Sequence, residues 1–158
     1  MNYTIGISEM RISNQSEDVL ITYSLGSCIG VTIYDPASRV GGMIHCMLPN
    51  SKIDPQKARN FPCMFVDTGV PLLFSEAYRL GAQKDRIIVK VAGCSKILDD
   101  KGLFNIDERN YMILRKLLWK NSVLINAEDV GGNDSRTLYL DVTSGLVTVK
   151  SRDRKMEL

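Results

Sequence analysis

Before residue 50 the chain is written almost wholly in short extended runs: "NYTIGI", "DVLITYSL", "CIGVTIY" and "GGMIHCML". Each is too short for a stable helix and is bounded by turn residues, so the first half of the chain must become sheet material. The third and fourth runs are separated only by "DPASRV", whose Asp-Pro and Ser favour a turn. A connection that short makes 28–34 and 40–48 neighbouring antiparallel strands, and the pattern as a whole predicts a meander.

From "SKIDPQKARNFP" onward the texture changes, and that polar stretch with two prolines reads as a surface loop that borders or covers a site. Over 65–80, residues Val66, Val70, Leu73, Ala77 and Leu80 recur at helical spacing, with Gly81 where a helix commonly stops and Pro71 either kinking the helix or opening its better half. "DRIIVKVAG" reads as a buried strand. Asn105 with Glu108 forms an N-cap and N3 pair for a second helix, which carries Tyr111, Leu114 and Leu118 on one face. Strands return in "SVLINA", "RTLYLDV" and "LVTVK", with turns at Gly131-Gly132-Asn133-Asp134 and Thr143-Ser144-Gly145. The expected fold is mixed α/β, with two principal helices on one side of sheet material, in a single domain spanning residues 1–158.

A net charge of +2, evenly spread, leaves no basic footprint for nucleic acid, and the tail "KSRDRKMEL" reads as a solvated end. No apolar run is long enough to span a bilayer and the start has no leader pattern, so membrane insertion is not expected and the expected compartment is the cytoplasm. The four cysteines, Cys28, Cys46, Cys63 and Cys94, form no C-x-x-C pair, which argues against a zinc ribbon or thioredoxin-type motif.

Thiol catalysis needs a thiolate, a base to make it and a group to orient the base. Cys28, in the Leu-Gly-Ser turn of "YSLGSCIG", and His45, the only histidine, supply the first two, and on adjoining antiparallel strands they lie close enough for contact. Thr22, near the end of the preceding run, is the candidate orienter through its hydroxyl or its carbonyl. Backbone amides near Gly26, Ser27 and Cys28 are candidate oxyanion donors. In such a pair His45 would stabilise the Cys28 thiolate and bring its ionisation below that of a free thiol. The bland alternative is that Cys28 is a small buried side chain and His45 a satisfied core histidine, as Cys46, Cys63 and Cys94 are expected to be buried thiols. A metal held by Cys28, His45 and Cys46 is disfavoured, because adjacent strand residues point to opposite faces. No metal and no cofactor are expected.

The fragments "ITYSLGSCIGVTIYDP", "GGMIHCMLP", "VDTGVPLL", "GAQKDRIIVKVAG", "IDERN" and "AEDVGGNDSRTLYLDVTSGLVTVK", in this order, resemble the CheD family of chemoreceptor glutamine deamidases over nearly the whole chain. The resemblance implies a three-layer α/β/β sandwich like that of bacterial toxin-type glutamine deamidases. It implies a Cys28, His45, Thr22 triad in a protein-glutamine glutaminase that converts glutamine side chains on the cytoplasmic helices of methyl-accepting chemotaxis receptors to glutamate, releasing ammonia through a cysteine thioester. A CheC-type phosphatase is a second implied partner, and an adaptor that docks and stimulates it with little catalysis of its own is the rival reading. Two positions depart from the family pattern. Cys94 in "AGCS" stands where a second glycine is usual and would be strained at positive φ, and Phe65 replaces a tyrosine.

Overall fold

In a computed structural model, which describes residues 1–96 and 105–158, the extended runs sort into two five-stranded sheets among the described residues instead of one meander. One sheet has the order β1 (Asn2–Thr4), β3 (Val19–Leu25), β8 (Arg136–Asp141), β9 (Val147–Ser151), β10 (Arg154–Glu157). The other runs β2 (Glu9–Ser13), β5 (Val40–Cys46), β4 (Ile29–Asp35), β6 (Ile88–Gly93), β7 (Ala127–Val130). The chain changes sheets at residues 26–28, between β3 and β4.

The reason lies in β4 and β5, where every residue is buried. Strands apolar on both faces need cover on both. On one side Ile29, Val31, Ile44 and Cys46 pack against Val70, Leu73 and Ala77 of α2 (Val66–Arg79) and Leu114 and Leu118 of α3 (Ile106–Lys120). On the other, Tyr34, Met43 and Ala92 meet Leu20, Leu25, Leu138 and Leu140 of the first sheet. Helices, inner sheet and outer sheet thus form three layers, and the fold is mixed α/β as expected.

The expected antiparallel β4–β5 pair forms, with a register from Ile29 opposite Cys46 to Asp35 opposite Val40. Its turn is fastened by buried Asp35, whose carboxylate accepts from Ala37 N and Gln83 N, each at 2.9 Å, and from the Arg86 guanidinium. The guanidinium and backbone donors outweigh burial and hold that carboxyl well below the usual carboxylate range.

Elsewhere the sequence expectations need correction. The stretch read as a loop contains α1 (Pro55–Asn60), because Asp54 accepts from Lys57 N and Pro55 pre-sets the first turn. The alternating "EMRIS" becomes β2, and the tail, mostly exposed as expected, is nonetheless ordered as β10, a charged edge strand paired with β9 from Arg154–Ser151 to Glu157–Thr148. "SVLINA" is irregular until Ala127, where parallel pairing with Lys90 of β6 begins. α2 runs through Pro71 and stops before Gly81, whose φ is +105°. Asn105 does stand at the N-cap of α3, but with φ 46° and no side-chain capping bond; Glu108 instead pairs with Lys96. Among the described residues no helix is long and apolar enough to cross a membrane.

Candidate active site

His45 lies opposite Gly30 of β4 and Glu9 of β2, and strand alternation turns its ring between the two sheets, where it is 1% exposed. Its neighbour Cys46 faces the helices, so the two do not converge on one ion, as the alternation argument requires. Thr22 reaches the ring from the other sheet: its Oγ1 is 2.7 Å from His45 Nδ1 and donates to Ile5 O, also at 2.7 Å. A hydroxyl has one proton, and a carbonyl can only accept. With that proton committed to Ile5 O, Thr22 Oγ1 accepts from Nδ1–H, which leaves the lone pair of the imidazole on Nε2. Nε2 is buried and has no hydrogen-bond partner among the described residues.

Cys28 precedes β4 by one residue and Gly30, the position opposite His45, by two. It therefore falls on His45's side of the inner sheet, diagonal to it, with no side chain at position 30 between them. Cys28 is half-buried against the intersheet cluster. Each carbonyl of the bend is held by a donor from elsewhere: Gly26 O by Ser95 N (2.8 Å), Ser27 O by Asn110 Nδ2 (3.0 Å) and Cys28 O by Cys94 N (2.9 Å). In a trans peptide the N–H points away from its C=O. The Ser27 N–H on the first of these planes has no partner among the described residues, and the Cys28 N–H on the second leaves the edge opposite the carbonyl that Asn110 holds.

The residues that hold the bend were missed as site residues in the sequence. Gly93, at φ +113°, lets the backbone meet the Cys28 carbonyl, where a Cβ would collide with the oxygen. Cys94 follows at φ 54°, so the strain expected at that position is present. Behind them, buried Arg136 bonds Asp129 Oδ2 (2.9 Å), Gly93 O (3.1 Å), Ser95 Oγ (2.6 Å) and Gly131 O (2.8 Å), fixing the segment that grips the bend. Asn110 had a legible signal: it lies four residues before Leu114 on the buried stripe of α3, a polar side chain where an apolar one is expected.

Burial sets the protonation states. It pushes the Cys28 thiol above its ordinary range, partly offset by the residue's own N–H, and pulls His45 down to about 4. Burial thus works against the expected low-pKa thiolate and favours a thiol and a neutral imidazole at neutral pH. Stability follows the same shift. An unfolded imidazole titrates at 6.5 and the folded one near 4, so in that window the unfolded chain binds the extra proton. This contribution is complete above about 6.5 and lost as the pH falls through about 4, amounting to ~3 kcal/mol. Urea unfolding between pH 7 and 4.5 should show most of that loss in the wild type and little of it in His45→Gln; equal slopes would contradict the assignment.

The CheD family, described as "CheD chemotactic sensory transduction", matches residues 47–151. Three relatives named as probable chemoreceptor glutamine deamidases extend the similarity toward both ends. The Syntrophus aciditrophicus protein is 55% identical over 93% of this chain and 92% of its own length. That of Solibacter usitatus is 44% identical over 98% and 91%, and that of Pyrococcus horikoshii 35% over 92% and 90%. A span covering 98% of the chain necessarily includes Thr22, Cys28 and His45. With a family match over most of its length and relatives this similar end to end, the chain belongs to the CheD family.

Proposed function

We propose that this protein is a cysteine-dependent protein-glutamine deamidase acting on chemoreceptor glutamines, with Cys28 as nucleophile, His45 as general base and acid, and Thr22 as the residue that orients His45. The observation that carries the reading is the proton arrangement at His45: Nδ1–H is engaged by Thr22, and the unpartnered Nε2 lone pair is free to act as a base. The names of the relatives supply the substrate class.

In this mechanism Nε2 takes the thiol proton as Cys28 Sγ bonds the carboxamide carbon, and the oxyanion is met by the N–H groups of Ser27 and Cys28, beside Gly26. His45 then returns the proton to the leaving nitrogen, and ammonia departs from a thioester. Water, deprotonated by the same Nε2, attacks the thioester carbon; glutamate forms and the sulfur recovers its proton. A base that is already neutral at physiological pH needs no prior deprotonation, which suits it to this role.

The test is ammonia release from a receptor cytoplasmic fragment, with mass spectrometry locating the converted glutamine. No release would favour the adaptor reading, in which the chain docks a CheC-type phosphatase. That phosphatase is the second proposed partner, to be tested by calorimetric titration against wild type and Cys28→Ala. A separate expectation concerns the thiol: alkylation of Cys28 by iodoacetamide should rise through a pH midpoint above the ~8.5 of a free cysteine. Fast alkylation at pH 6 would reveal a thiolate-imidazolium pair and overturn the neutral resting state.

A further inference from the structure

Among the described residues, Asn110 is the one polar side chain that bonds both halves of the site. It is completely buried, and its amide nitrogen donates to Ser27 O at 3.0 Å and to Met47 O at 3.2 Å. The first acceptor is in the Cys28 bend and the second lies two residues past His45. Both partners are carbonyls, so the amide cannot be turned around without setting oxygen against oxygen. Its Oδ1 is buried without a hydrogen-bond partner among the described residues. An unpaired buried carbonyl costs about 1–3 kcal/mol, which offsets part of what the two N–H bonds contribute. The two N–H bonds fall where the chemistry is.

We propose that Asn110 is a positioning residue that aims the Cys28 amide at the developing oxyanion and fixes the nucleophile's bend relative to the strand of the base. This rests on the deamidase reading above and adds a residue to it. The structure contains no cis peptide bonds among the described residues, so Ser27 C=O and Cys28 N–H leave opposite edges of one plane. Holding the carbonyl toward α3 turns the N–H to the other side, away from α3 and toward the intersheet layer that Cys28 borders. When the sulfur bonds the carboxamide carbon, the new oxyanion forms next to that sulfur, within reach of the same N–H. Freed from Asn110, the peptide can rotate and carry the donor away, while the thiol stays attached to a bend still tied through Gly26 O and Cys28 O.

Two reactions of Cys28 separate aiming from scaffolding. Alkylation by iodoacetamide forms a sulfur–carbon bond at a saturated carbon, expels iodide and develops no oxyanion. Reversible addition to a blocked glutamate γ-semialdehyde forms a hemithioacetal, whose oxygen passes through the oxyanion position before it takes the thiol proton. In Asn110→Asp, shown to be folded by its thermal transition, we expect alkylation within about threefold of wild type, aldehyde affinity reduced about 100-fold, and kcat reduced about 100-fold at unchanged KM. Asn110→Ser, which keeps one donor, should lie between; if the aspartate variant does not fold, the serine variant carries the same comparison. Equal losses in alkylation and aldehyde binding would overturn the proposal by making Asn110 a purely structural tie. Unchanged aldehyde affinity would overturn it too. Failure of the wild type to release ammonia while the aldehyde contrast persists would count against the proposed substrate and not against Asn110.

Discussion

Cys28→Ala is expected to lower ammonia release from a chemoreceptor fragment by at least about 10⁴-fold, while Cys46→Ala stays within about threefold of wild type. The difference follows from which face of the inner sheet each sulfur occupies. Cys28 adjoins the intersheet layer with His45, whereas Cys46 is wholly buried against the helices, where its thiol cannot meet a substrate. Removing Cys46's sulfur leaves a small cavity and should cost about 1 kcal/mol of stability, visible in urea titration and not in kcat. Comparable loss of activity in both variants at matched stability would mean that the faces have been assigned wrongly.

Thr22 offers the second large effect. Thr22→Val preserves the shape of the side chain but removes the acceptor for His45 Nδ1–H, freeing the imidazole to take the tautomer in which Nε2 carries the proton and cannot act as base. A loss of about 10²-fold in kcat is expected. It should be smaller than the ~10⁴-fold seen when a carboxylate orienter is neutralised, because a hydroxyl stabilises the imidazolium less. Thr22→Ser keeps the hydroxyl and should remain within about fivefold. Ammonia-release kinetics would decide it; equal activities would transfer the orienting role to some other group.

The path from residues to this site was partly open to view in the linear chain. The hairpin that sets Cys28 diagonal to His45 was legible because "DPASRV" is too short for anything but an antiparallel return, and period-2 alternation then assigned His45 and Cys46 to opposite faces. α2 and α3 were legible from apolar residues at helical spacing. The same rules, applied more strictly, would have found β2 in the alternation of "EMRIS". They would not have found β10, whose residues carry no apolar alternation and are held by register with β9.

What local pattern left undecided was everything that depends on pairings distant in sequence. Nothing within "DVLITYSL" says that β3 belongs to a different sheet from β4, yet that choice brings Thr22 across the interlayer to His45 and places Ile5 O where it takes the hydroxyl proton. The direction of a single hydrogen bond, and hence the nitrogen that can act as base, is a property of three residues from separate segments. Asn110 is a further case, since its role exists only once α3 is laid against a bend 83 residues earlier. The protonation states reversed a chemically reasonable expectation for the same reason. Residue types made a thiol and an imidazole available, and the sequence alone determined the strands and helices that carry them and the face each side chain takes. Only the packing of the two sheets around the pair supplied the burial that favours the neutral form of each.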